Sequence, residues 1–162
     1  MPEIIIKTVI QADKKIVFDL SRSVDLYKIA KELSSQTAIA GVTSGLIGLN
    51  DSVTWKAKHF GFYQKLSSEI YEFDRPVYFA DKMIKGIFKS FTHRHYFKDG
   101  QDGTLMTDQF VFLSPLGVLG KFADLFFLKS YMRGFLIKRN RVIKEFAETE
   151  KWKEVLSPGD YP

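Results

Sequence analysis

The spacing of apolar and polar residues changes its period twice along the chain. "EIIIKTVIQA", residues 3–12, is rich in β-branched residues and predicts a first strand. "DKKIVFDLSRS" follows, with Asp13 placed as an N-cap and Ile16, Val17 and Leu20 forming a short apolar stripe. In "VDLYKIAKEL", Leu26, Ile29, Ala30 and Leu33 recur at helical spacing and predict a second short helix. After Ser34 come "QTAIAGV", "DSVTWKAKHF", "FYQKLSSEIYEF", "PVYFADKMI", "FKSFTHRHYF" and "TLMTDQFVFL", which alternate or carry strand formers. Asn50-Asp51, Asp74-Arg75-Pro76, Lys85-Gly86 and the run from Asp99 to Gly103 punctuate them. Connections this short favour antiparallel neighbours, because a parallel crossover needs a dozen or more residues.

Beyond Pro115 the helical period returns. Phe122, Leu125, Phe126, Met132, Phe135, Leu136, Val142, Ile143 and Phe146 trace one long stripe, with Gly120 and Gly134 as expected bends or close approaches. The end, "KWKEVLSPGDYP", is expected to fray. No repeat or linker divides the chain, so residues 1–150 are expected to form one domain and residues 151–162 a tail. The fold class is α+β: a curved antiparallel sheet wrapped around a long C-terminal helix, with two short helices after the first strand. An antiparallel sheet covers one face and leaves the other wet, and the long helix is the element large enough to cover it.

Strand parity then sorts the side chains. Phe91, His93, His95 and Phe97 share one face of their strand, with Thr92, Arg94 and Tyr96 opposite. Lys89 has the inward parity too, so the start of this strand must be twisted, bulged or outside the ladder. Met106, Asp108, Phe110 and Phe112 share a face, as do Phe79, Asp81 and Met83, and Val53, Trp55, Ala57 and His59. Phe62, Gln64, Leu66, Ser68 and Ile70 form the inward face between them. A hairpin centred on Gly100-Gln101 would place His93 opposite Asp108 and His95 opposite Met106. The expectation is a cavity of ~300 Å³ or more. Its apolar lining is Trp55, Leu66, Phe79, Met83, Phe91, Met106 and Phe110 from the sheet, with Phe122 and Phe126 from the helical region. Its polar patch is His59, Gln64, Asp81, His93, His95 and Asp108.

Composition changes the picture in two places. The 162 residues suit a single core, but aromatics reach 15% with fifteen phenylalanines, rigid apolar surface that fills a large core or lines a cavity. Cysteine is absent, which excludes disulfides and thiolate chemistry and points to a reducing compartment. The start "MPEIIIKTVI" lacks a signal-peptide pattern, and Lys129 and Arg133 interrupt the most apolar stretch before it could span a membrane. A cytoplasmic protein is expected. The net charge of +5 permits attraction to anionic lipid or nucleic acid without requiring it. On the terminal helix, Lys121, Lys129, Arg133, Lys138, Arg139, Arg141 and Lys144 are taken as a solvated outer face, with contact to an anionic membrane as the alternative. Nucleic acid is not expected, since the aromatics here have core parity and are not interleaved with the basic residues.

The stretches "LNDSVTWKAKHFGFYQKLSSEIYEFDRPVYFADKMIKGIFKSFTHRHYF" and "GTLMTDQFVFLSPLGVLGKFADLFFLKSYMRGFLIKRNRVI" resemble the START-like ligand-binding superfamily, also described as Bet v 1-like, polyketide cyclase-like or SRPBCC. The likeness is strongest from Leu49 to Ile143 and is closest to the bacterial cell-division-inhibitor-type subgroup. It implies a helix-grip fold with an internal cavity and a small hydrophobic partner, and leaves the substrate open, since members range from lipid carriers to cyclases. No catalytic motif accompanies it: there is no Gly-x-Ser-x-Gly, no phosphate-binding glycine loop and no His-Glu-x-x-His. Three readings of the patch stay open. His93–Asp108 and His95–Asp81 are buried pairs that hold the sheet, as in an interaction module with a filled core whose basic helix contacts a partner, or they orient a ligand's polar group, or they act as an acid/base dyad of a cyclase or hydrolase using His93 or His95. His-x-His with no further characteristic spacing is weak evidence for metal, so neither metal nor cofactor is expected.

Overall fold

A computed structural model describes residues 1–114 and 127–161. Seven strands form one antiparallel sheet in the order β1-β7-β6-β5-β4-β3-β2. They are β1 (Glu3–Ile10), β2 (Gln36–Gly41), β3 (Ser52–His59), β4 (Phe62–Asp74), β5 (Tyr78–Lys85), β6 (Ser90–Gly100) and β7 (Gly103–Leu113). Two short helices, α1 (Lys14–Ser21) and α2 (Val24–Ile29), lie between the first two strands, and α3 (Lys129–Glu148) lies across the sheet. Every strand and helix expected among these residues is present.

The local chemistry accounts for the elements. In β1, Ile4, Ile6 and Ile10 are buried while Ile5, Lys7 and Val9 face out. Asp13 caps α1, its carboxylate accepting the Lys15 N–H at 2.8 Å. Such a cap is worth about 1 kcal/mol. Helix α1 buries every residue from Ile16 to Ser21, because it plugs one end of the sheet. Phe18 meets Phe73, Phe79 and Phe97 edge-on at 5.1–5.4 Å, the geometry that aromatic quadrupoles favour. Register shifts mark a bulge at Ile84 in β5, opposite Ser67/Ser68, and one at Tyr71 in β4, between Ile70 and Glu72. Bulges of this kind bend a sheet and let it wrap a helix.

Several expectations need correction. The β6–β7 hairpin closes one step later than expected: Gly100 pairs with Gly103 around Gln101-Asp102. His95 therefore lies opposite Asp108, His93 opposite Phe110, and Met106 opposite Phe97. The cause is Gly103, at φ +144, where an added Cβ would stand 2.2 Å from the Ile10 carbonyl oxygen. A side chain is excluded there, so the glycine pins the turn against the end of β1. Phe62 has inward parity but is 73% exposed, because the β3–β4 hairpin overhangs the helix-covered part of the sheet. Gly134 makes no close approach, having open space where a Cβ would stand. β6 begins at Ser90, and Lys89 just before it is exposed, although its N–H still donates to the Leu113 carbonyl oxygen at 2.8 Å.

The end of the chain is docked rather than frayed. Leu156 is buried in the core, and the Trp152 and Tyr161 rings meet at 5.5 Å. The Tyr161 hydroxyl donates to buried Asp19 at 2.8 Å. Arg22 and Arg75 donate to the same carboxylate, so one aspartate ties α1, the β4–β5 turn and the C-terminal segment together. Burial works to raise the pKa of Asp19, but the hydrogen bonds from Arg75 and Tyr161 and the charge of Arg22 outweigh it and hold the carboxyl below its usual range. None of the described helices is long and apolar enough to cross a membrane.

Candidate ligand-binding site

Between the concave sheet face and α3 lies a space of about 180 Å³. That is smaller than the expected volume. Trp55, His59, Gln64, Leu66, Phe79, Asp81, Phe91, His93, His95 and Phe110 line it, each where strand parity placed it. Met106 and Asp108 are fully buried behind the lining, and Met83 packs beside Leu66 and the Phe88–Phe91 cluster. Parity assigns a face but not a depth, which is why these three do not reach the space. Phe122 and Phe126 lie outside the described residues.

The polar floor is a connected network. Asp108 Oδ1 stands 3.0 Å from His93 Nε2, 2.9 Å from His95 Nδ1 and 3.5 Å from Arg139 Nη1. The His95 nitrogen lies off the line of a good hydrogen bond despite its short distance. Asn140 Nδ2 donates to the other carboxylate oxygen at 2.6 Å. His95 Nε2 reaches Asp81 at 3.3 Å, and the His93 and His95 imidazoles lie tilted by 42° with centroids 3.8 Å apart. Arg139 also donates to the Ser21 carbonyl at 2.8 Å and to the Tyr27 hydroxyl at 3.2 Å. The cluster thus joins α1, α2, β5, β6, β7 and α3.

Sequence reasoning missed Arg139 and Asn140, assigning Arg139 to the solvated helix face. Both are buried. A signal existed: they fall between Leu136 and Ile143 at helical spacing, inside the apolar stripe. The correction matters electrostatically, because Arg139 supplies the cation that a buried aspartate requires. Burial raises the pKa of Asp108, but the His93 hydrogen bond and the close His95 imidazole outweigh it and hold the carboxyl well below its usual range. Arg139 beside it acts in the same direction. Burial and the neighbouring His95 push the His93 imidazole down to about 4, against its hydrogen bond to Asp108. At neutral pH the core of the network is therefore an Asp108–Arg139 ion pair with a neutral His93 hydrogen-bonded to the same carboxylate oxygen.

Two further polar groups face the space. Gln64 Oε1 is buried with no hydrogen-bond partner among the described residues. At the mouth, His59 Nδ1 lies 2.6 Å from the Tyr131 hydroxyl, and burial lowers the pKa of His59. Asp81, His93 and His95 offer ligand atoms within 4.8 Å of one another, a spread that a metal ion would tolerate. His93 Nε2, His95 Nε2 and Asp81 Oδ1 already take part in hydrogen bonds, and Arg139 places a fixed positive charge beside the cluster. Both features oppose a cation.

Solved structures place this architecture. The Thermus thermophilus protein TTHA0849 superposes with a TM-score of 0.72 at 17% identity, over 89% of this chain and 95% of that one. Major latex-like protein 151 from Panax ginseng gives 0.68 at 18%, over 91% and 98%. Ara h 8.0201 gives 0.64 at 11%, over 90% and 97%. The fold is a Bet v 1-like helix grip. At these identities the likeness establishes the fold alone. No family model and no curated protein matches the sequence. In this helix grip, the sheet supplies the histidines and aspartates and the gripped helix supplies Arg139 and Asn140.

Proposed function

We propose that the chain binds a small, largely apolar molecule in the space between sheet and α3. The observation that carries this reading is Gln64 Oε1, a buried acceptor without a partner among the described residues, set in a wall of Trp55, Leu66, Ile70, Phe91 and Phe110. Leaving such an acceptor unpaired costs about 1–3 kcal/mol. A ligand with one hydrogen-bond donor would recover that cost while its apolar body fills the rest. The Asp108 network lies behind the histidines and serves mainly to hold them in place. We further infer membership of the cell-division-inhibitor-type subgroup, from the sequence pattern between Leu49 and Phe97, and a reducing cytoplasmic setting, from the absence of cysteine.

Acid/base catalysis is the less favoured reading. A base held near pKa 4 is mostly unable to retain an abstracted proton at neutral pH, whereas an effective catalytic base sits near the working pH.

The test uses an environment-sensitive apolar fluorophore, 1-anilinonaphthalene-8-sulfonate, with native mass spectrometry of the same complex. One probe per chain is expected. Ser68 is buried and lines the space, so Ser68→Phe should fill it and weaken binding about tenfold or more, as steric exclusion from a small pocket requires. Equal binding by a folded Ser68→Phe variant would remove the site from this cavity. In parallel, zinc titrated into the protein is expected to show no stoichiometric binding. Stoichiometric uptake that disappears in His93→Gln and His95→Gln variants would establish a metal centre instead.

A further inference from the structure

We propose that the β3–β4 hairpin tip, with the start of α3, is a docking surface for anionic lipid membranes. The tip reads "KAKHFGFYQK", Lys56 to Lys65. Phe60 is 50% exposed, Phe62 73%, Tyr63 70% and Phe127, which packs on Phe60, 59%. Phe60 sits at φ +53 and Gly61 at φ +82. A phenylalanine in the left-handed region is unfavourable for folding alone, yet it sets the aromatic ring at the apex of the turn.

The charges at the tip point the same way. Lys56 lies directly opposite Lys65 in the β3–β4 ladder, a like-charge pairing that disfavours the sheet. Lys58 stands opposite Tyr63, and the Lys56 ammonium lies 4.7 Å from the centre of the Tyr63 ring. The lysines with carboxylate partners among the described residues, Lys14, Lys28, Lys82, Lys144, Lys151 and Lys153, are all elsewhere. Three lysines without such a partner, around three projecting aromatics, form a surface whose complement is apolar at its centre and anionic at its rim. A bilayer interface has that chemistry: rings enter at headgroup depth and ammonium groups meet lipid phosphates. A single-stranded nucleic acid would share the charge, but it needs a stacking platform, and these rings project from a convex tip.

The tip is also the mouth of the internal space, since His59, Phe60, Lys65 and Tyr131 line it. Docking would turn the opening towards lipid. The membrane proposal does not depend on the pocket reading, and its test contains no pocket ligand.

The experiment is co-sedimentation of the full chain with vesicles of phosphatidylcholine alone or of equal parts phosphatidylcholine and phosphatidylglycerol, with melting temperatures measured in parallel. Binding is expected on the mixed vesicles, about tenfold or more weaker on the neutral ones, and reduced by high salt. Phe62→Ser should weaken it without lowering the melting temperature. Lys56→Glu should weaken it while holding or raising the melting temperature, because it converts a like-charge pair with Lys65 into an attractive one. Binding that ignores lipid charge, or survives both substitutions unchanged, would overturn the proposal. So would a concentration-dependent dimer that Phe62→Ser abolishes, which would make a second copy the occupant. Tighter binding of a single-stranded oligonucleotide through the same lysines would also overturn it.

Discussion

Replacing Asp108 with asparagine is expected to cost about 3–5 kcal/mol of folding stability, measured by urea denaturation at neutral pH. The variant keeps the shape of the side chain but leaves Arg139 buried and charged, with the Tyr27 hydroxyl, the Ser21 carbonyl and the Asn140 side chain as its remaining named partners. None of them is anionic. The double variant Asp108→Asn/Arg139→Met should recover much of the loss, because removing both charges lifts the desolvation penalty along with the attraction. Binding of the fluorophore should fall by less than stability does, since Asp108 stands behind the histidines rather than against the space. A cost near ~1 kcal/mol would match a neutral hydrogen bond and show that the network carries no net ion pair.

Acid is the second strong perturbation. His93 titrates at about 4 in the folded chain and near its ordinary value of 6.5 when unfolded. Between those values the unfolded state binds the extra proton, so stability falls as pH drops from about 6.5 to about 4. The accumulated loss is ~3 kcal/mol. Below that window a second loss begins: Asp108, held below its usual range, contributes stability above its unfolded pKa that disappears as pH falls through its folded one. Denaturation profiles at stepped pH should therefore show two regimes. His93→Gln should flatten the upper one and weaken the lower, because the His93 hydrogen bond is part of what holds the Asp108 carboxyl down. An unchanged upper slope in that variant would mean that another group carries it.

The inward faces were readable from sequence because a period of two needs no knowledge of the fold. Phe91, His93, His95 and Phe110 follow from alternation alone. Register was not readable. Glycines at 100 and 103 permit more than one turn, and the choice is made by the contact of Gly103 with the end of β1, remote in sequence. Arg139 and Asn140 were hidden in a helix rich in cations, where composition suggests a wet surface. Their burial depends on α1 and β1 packing onto the same helix face. Phe62 shows the converse: alternation gives its direction, but not that the hairpin continues beyond the helix covering the rest of the sheet.

The strand order also bears on how the chain reaches this state. From β2 to β7 each strand pairs with its neighbour in sequence, across short connections that cost little loop-closure entropy. Pairing of β1 with β7 and docking of α3 join segments separated by most of the chain, and such contacts form late. Asp108 is therefore laid into the sheet while its future cation is still in solvent. On that order its carboxylate is expected to stay hydrated until the last helix arrives, so that the dehydration of both charges would fall together in one late step of assembly.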